Sequence, residues 1–222
     1  MSIDNPLRND NRQYDFTNHP TEYRKEFPII IKLIPKNSKV IDLGCGNGTL
    51  LQHLQKECHA SVKGVELTTS GIKICRKKKL SVIQARIDTH LPFKADSFDY
   101  AICNVTMQMV LYPEILLSEM KRISRYQIIS FPNFAFYRNR LQLLLRGIMP
   151  KHMLFGYSWF STGHIHQLSL MDFKSLVSTV GGLTIREIYC VEIKNRVKEY
   201  LTHKYPNLFM HIPIVLLEKY KQ

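Results

Sequence analysis

The stretch VIDLGCGNGTL, Val40 to Leu50, places three glycines in a loop between a short apolar run and a leucine-rich one. A glycine-rich turn between a strand and a helix is the hallmark of an open α/β sheet, which binds ligands at the carboxyl ends of its strands. The dinucleotide pattern G-x-G-x-x-G fails, because a third glycine is due at position 49, where Thr49 stands. No lysine of the P-loop kind follows either. What stands here is D-x-G-x-G-x-G: Asp42, Gly44, Gly46 and Gly48, with Cys45 between the first two glycines. Glycines let the backbone take positive φ and approach a ligand closely. Glu66 ends the next apolar run, and a carboxylate there can accept from both hydroxyls of a ribose, at about 1.5–3 kcal/mol per charge-assisted bond. A bland reading, glycines kept for tight strand–helix packing, stands beside the ligand-binding one.

The rest of the chain reads as strand–helix alternation. Strands are expected over Lys39–Leu43, Ser61–Glu66, Leu80–Gln84, Phe98–Cys103 and Tyr126–Phe131, with helical apolar spacing between them, such as Leu50, Leu51, Leu54 and Cys58. Short connections then imply βαβ units and a mostly parallel, doubly wound sheet. Further on, the spacing predicts a helix over Phe134–Arg146, stopped by Gly147 and Pro150, and another over Leu170–Val180, stopped by Gly181 and Gly182. Two last strands, Leu183–Ile193 and Met210–Glu218, are joined by a polar, basic connection with no long helix expected in it. They make seven strands, the last one antiparallel at the sheet edge.

Length and composition fit this scheme. The 222 residues allow one domain, read as 21–222 after a polar segment 1–20, with 132–168 as an insertion-like region over the cleft. The polar start lacks an apolar signal core, and no uncharged run is long enough to span a bilayer. Five scattered cysteines without C-x-x-C spacing suit reduced thiols in a cytoplasm, and they give no metal-ligand pattern. The net charge is +13, and between Glu119 and Asp172 the chain has seven basic residues and no acidic one. A solvated basic face and a surface for an anionic partner both fit that stretch.

The loop, Glu66 and the segment PFKADSFDYAICN (Pro92–Asn104) together resemble class I S-adenosylmethionine-dependent methyltransferases. The resemblance implies S-adenosylmethionine or S-adenosylhomocysteine as ligand, bound by Asp42, Gly44, Cys45, Gly46, Gly48, Glu66, Leu67, Ile87, Asp88 and Asn104. One departure concerns the adenine. The third strand of that family ends in an aspartate, but QARID puts Arg86 there and Asp88 two residues on. Either Asp88 takes the role, or backbone and apolar contacts hold the base.

A narrower resemblance covers nearly all the chain after Tyr23. SFPNFAFYRNRLQLLLRGIMP (Ser130–Pro150), GYSWFSTGHIHQLSLMDF (Gly156–Phe173) and YPNLFMHIPIVLLE (Tyr205–Glu218) are similar to the MetW family, with His164 where that family tends to have asparagine. This resemblance implies a role in methionine biosynthesis beside a homoserine O-acyltransferase, a MetX-like partner. Asn133, Tyr137, Arg138 and His166 are then candidates for contacting a substrate or that partner.

Read as chemistry alone, these residues allow plainer roles. Asn133 reads as a helix N-cap or a pocket residue. Tyr137, Leu141, Leu144 and Leu145 share a helical face and are expected in the core, with Arg138, Arg140 and Arg146 off it. His166 reads as a structural histidine or a general base. Arg76–Lys79 reads as a solvated helix end. FPN follows the fifth strand, not the fourth, so it is not the N/D-P-P-Y motif of amino-methylating enzymes, which weighs against nucleic acid. Three functions remain: an S-adenosylmethionine-binding partner and sensor for the acyltransferase, a methyltransferase acting on a small molecule, and an RNA-binding or RNA-modifying protein.

Overall fold

The computed structural model describes residues 16, 23–150, 159, 162–191 and 196–220, without the side chains of Val197 and Lys198. The polar 1–20 segment, apart from Phe16, lies outside the described residues, as do Lys151 and most of GYSWFS. Seven strands form one sheet in the order β3-β2-β1-β4-β5-β7-β6. They are β1 Lys39–Leu43, β2 Ser61–Glu66, β3 Val82–Gln84, β4 Phe98–Asn104, β5 Ser124–Ser130, β6 Leu183–Cys190 and β7 Pro213–Lys219. β1 pairs in parallel with both β2 and β4, so the winding reverses between β1 and β4 and opens a crevice at their carboxyl ends.

The helices follow from the apolar spacing. α1 Phe27–Leu33, α2 Thr49–Cys58 and α3 Thr69–Lys77 bury their faces in a core with Val40, Val62, Ile102 and Ile128. α4 Pro113–Ile123 and α6 Leu170–Val180 cover the other side, against Ile41, Leu43, Ala101, Ile129 and Leu217. Adjacent residues such as Ile128 and Ile129 point into different cores, as the period of two requires. α6 is held at its start by a capping box between Ser169 and Asp172. α3 ends at Lys77, with Lys78 as its cap, so the cationic run does close a helix.

β7 is the antiparallel strand, as expected, but its expected place at the sheet edge needs correction: it stands between β5 and β6, and β6 is the edge. Its residues PIVLLEK are almost all buried, which suits an inner position. β6 carries Arg186 and Glu187 and a bulge between Ile185 and Glu187, features that suit an edge. Two expectations about helices need correction. The connection between β6 and β7 contains α7 Arg196–Lys204 and the short α8 Pro206–Phe209. α7 has Val197, Tyr200 and Leu201 at helical spacing but set among charged residues; among its described side chains Thr202 is the buried one.

The second correction concerns α5, Tyr137–Arg146, preceded by a turn over Phe134–Phe136. Its leucines are not in the core: Leu144 and Leu145 are 78% and 76% exposed, and Leu141 is exposed as well. The buried residue of this helix is polar Asn139, whose Nδ2 donates to the carbonyls of Asn133 and Phe134. Regular spacing makes leucines share a face, but it does not say what covers that face.

Candidate functional site

The crevice between β1 and β4 is built from the glycine loop. Gly44, Gly46 and Gly48 all have positive φ, of 86°, 54° and 74°. Two of them also pack tightly. A Cβ on Gly44 would fall 2.5 Å from the Thr106 methyl, and one on Gly48 would fall 2.4 Å from Leu80 and 2.8 Å from the Cys75 sulfur. Gly46 differs: its missing Cβ faces the ring of Phe16 at 3.1 Å, a side chain that can move. Packing therefore accounts for Gly44 and Gly48, while Gly46 keeps a surface against which a ligand can lie.

Glu66 ties the loop to β2. Its Oε2 accepts from the Gly46 amide at 2.8 Å, and its Oε1 accepts from the Thr68 amide at 2.7 Å. Each carboxylate oxygen keeps a further lone pair, so two more donors can be received. Gly44 and Cys45 both donate to the Val65 carbonyl, at 2.8 and 3.1 Å. Beneath them Asp42 is buried, and its Oδ1 has no hydrogen-bond partner. Burial, and then the charge of Glu66, push its carboxyl up to about 7. A buried carboxyl with an open oxygen, next to a glycine cradle, suits a cationic group of a ligand.

Asn104 closes the other side, at the end of β4, and its Oδ1 accepts from Ser130 Oγ at 2.5 Å. The next residue, Val105, is buried and held at φ 51°, unusual for a β-branched side chain. Two acceptors on Ser130, its carbonyl and its Oγ, both lie 3.0 Å from the Val105 amide and fix that turn. The strain delivers Thr106 onto Gly44. Two thiols lie under the loop. Cys45 hydrogen-bonds Cys75; this bond, then burial, then the Asp42 carboxylate raise the Cys45 thiol far above its ordinary range. The same bond lowers Cys75, whose sulfur also contacts the Gly46 carbonyl at 3.4 Å.

Asp42, Gly44, Cys45, Gly46, Gly48, Glu66 and Asn104 thus gather around one crevice. Leu67 is half-buried beside Glu66, and its carbonyl accepts from Gln84 Nε2 at 2.9 Å. Ile87 is buried in the core behind β1 and β4. Asp88 requires a correction as the stand-in for the adenine-binding aspartate. It is buried and held by four donors: Arg86 Nε donates to Oδ1 at 3.0 Å, and Arg86 and the amides of Leu111 and Tyr112 donate to Oδ2 at 2.7, 2.9 and 3.2 Å. Its carboxylate is spent on anchoring the segment after β4.

The other candidates lie elsewhere. Asn133 is not a cap, since position 136 precedes α5 and makes no side-chain cap. It is buried, its Nδ2 donates to the carbonyls of Asn207 and Met210, and its Oδ1 accepts from Ala135 N. The Tyr137 ring lies tilted against Phe136 and Phe209, at 4.7 and 5.6 Å between ring centres, and the Arg138 guanidinium lies 5.8 Å from the Tyr137 ring centre. The His166 amide donates to the Gln108 carbonyl, and the imidazole lines a hollow of about 270 Å³ with Met107, Leu168, Phe173 and Leu176. Thr106, Cys75 and Phe16 escaped sequence reading. The Phe16 amide donates to Ser70 Oγ at 3.2 Å, yet around Phe16 the sequence carries no apolar period.

Comparison with known proteins agrees with this fold. A S-adenosylmethionine-dependent methyltransferase from Thermotoga maritima superposes with a TM-score of 0.63 at 18% identity, over 89% of this chain and 88% of that one. The cyclase SpnF shares the fold at a TM-score of 0.61 and 11% identity, over 87% and 79%. In sequence, 170 residues are 32% identical to the "Bifunctional methionine biosynthesis protein MetXA/MetW" of Rhodopirellula baltica, covering 72% of this chain and 27% of that protein. A Methanocaldococcus jannaschii protein is 26% identical over 50% of this chain and 52% of its own length. Residues 24–217 match the family described as "Methionine biosynthesis protein MetW", and the chain belongs to that family.

Proposed function

We propose that this chain binds S-adenosylmethionine or S-adenosylhomocysteine and works with a homoserine O-acyltransferase in methionine biosynthesis. The carrying observation is the loop, in which Gly46 is fixed to Glu66 while the buried Asp42 keeps an open oxygen. Glu66 would hold the ribose hydroxyls and Asp42 the ammonium of the amino-acid tail. Leu67 and Ile87, with local backbone, would flank the adenine, since Asp88 is engaged and Arg86 pairs with it. The ligand would supply a sulfonium methyl group; the residues of this chain orient it and shield it from water.

Methyl transfer is not required by this fold, because one fold hosts many functions. The Rhodopirellula relative joins the names MetXA and MetW in one chain, which supports a partnership with the acyltransferase. In that arrangement the ligand site acts as a sensor of pathway output, and sensing requires different affinities in the free and partner-bound states. Acyltransferase activity and complex affinity should therefore change when S-adenosylmethionine saturates the site. If binding is present and both stay constant, while an extract plus the isolated protein yields methylated product, the chain is a methyltransferase instead. Calorimetry on folded protein that detects neither adenosyl ligand overturns the binding itself.

A further inference from the structure

Helix α5 carries an apolar stripe that no described residue covers. At 100° per residue, Leu144, Leu141 and Leu145 fall within an arc of about 100°, with Arg140 on one flank and Arg138 on the other. Leu143 lies on the opposite side of the helix, near Asn139, and is outside the stripe. A helix of ten residues is marginal in water by itself. This one is held by buried Asn139, by Arg140 Nε donating to the Ala135 carbonyl, and at its first turn by Tyr137, which shares the face of the stripe and packs its ring near Phe209. Leu144 and Leu145, 78% and 76% exposed, add little to that attachment.

The charges say what kind of surface fits. In the acid-free stretch, Lys121 donates to the carbonyls of Val180 and Gly181, Arg122 pairs with Glu119, and Arg125 pairs with Glu218. Arg138, Arg140 and Arg146 are exposed, and no described carboxylate lies in ion-pair range of them. A second copy docking by two-fold symmetry would bring these same cations together, on a chain of net charge +13. RNA would satisfy the arginines but leave the leucines against phosphates.

We infer that α5 is the docking helix for the acyltransferase partner, laying Leu144, Leu141 and Leu145 into an apolar groove whose rims carry carboxylates for Arg138 and Arg140. This rests on the function proposed above. The mode is helix-in-groove recognition, with the apolar stripe giving affinity and the rim charges steering approach.

The test uses the full chain and the homoserine O-acyltransferase of the same host. Leu144→Asp with Leu145→Asp should weaken the complex by roughly 30- to 100-fold, as loss of a buried anchor does. Arg138→Glu with Arg140→Glu should slow association about 10-fold and flatten its salt dependence. The leucine double should keep the parent's thermal midpoint, since Leu144 and Leu145 are exposed, whereas the arginine double gives up the Arg140–Ala135 hydrogen bond and should lower it slightly; both should keep the parent's affinity for S-adenosylhomocysteine. If the parent binds the acyltransferase and the leucine double binds equally well, the docking face is wrong and the partnership stands. If the parent itself does not bind, both fall. Loss of a homodimer in sedimentation, or of binding to anionic phospholipid vesicles, with the complex unaffected, would assign the stripe to a second copy or to a membrane surface and overturn the inference.

Discussion

Asp42 and Glu66, from β1 and β2, flank the same glycine loop. Asp42, pushed from 3.8 up to about 7, is partly protonated at neutral pH. A carboxyl raised on folding contributes its stability fully below the unfolded value and loses it as pH rises through the folded one. Its contribution is therefore full near pH 4 and gone above about 7, with a slope of at most about 1.4 kcal/mol per pH unit. Asp42→Asn should flatten that part of the stability curve, measured by thermal melting between pH 4.5 and 7.5. It should also remove a rise in affinity for S-adenosylhomocysteine across pH 7, since an ammonium favours the carboxylate; persistence of the rise in the variant would place the cation elsewhere. Glu66→Ala should weaken adenosyl ligands roughly 10- to 100-fold by calorimetry, the loss of one or two charge-assisted bonds. It also frees the amides of Gly46 and Thr68, so a matching loss for ligands without a ribose would refute the assigned role. Asp88→Ala should act on the fold: removing one member of a buried pair costs about 3 kcal/mol, read as a lowered denaturant midpoint.

Among the elements, those with one apolar face were legible before any coordinates. β1, β2 and α6 have the bounds that spacing and stop residues imply, because alternation, glycine stops and a serine cap act locally. Ser169→Ala should cost about 1 kcal/mol through loss of the α6 cap, visible in chemical denaturation; an unchanged midpoint would mean that tertiary packing alone holds that end. α5 was legible as a helix and misread as core, since the leucines that sequence assigns to an interior lie outside the described fold. α7 was missed because its short apolar spacing, Val197, Tyr200 and Leu201, is outnumbered by the charged and polar residues around it. Within the site, the glycines and Glu66 were legible because their spacing is short. Phe16 and Thr106 reach the loop only through tertiary contact, and the amides of Leu111 and Tyr112 that hold Asp88 come from more than twenty residues away.

At the scale of the molecule, the sheet puts its one antiparallel strand inside, not at the rim. β7 follows β6 in the chain but stands between β6 and β5. During synthesis, β6 leaves the ribosome with no neighbour to pair with, and the apolar edge of β5 stays open until β7 is made. Roughly thirty residues separate the end of β6 from the end of β7, a few seconds of elongation. For that interval the nascent chain offers an unpaired strand edge, the very surface on which aggregation starts. The half of the sheet that holds the glycine loop, β3-β2-β1-β4, is complete well before then, so the ligand site can take shape on a chain still being translated.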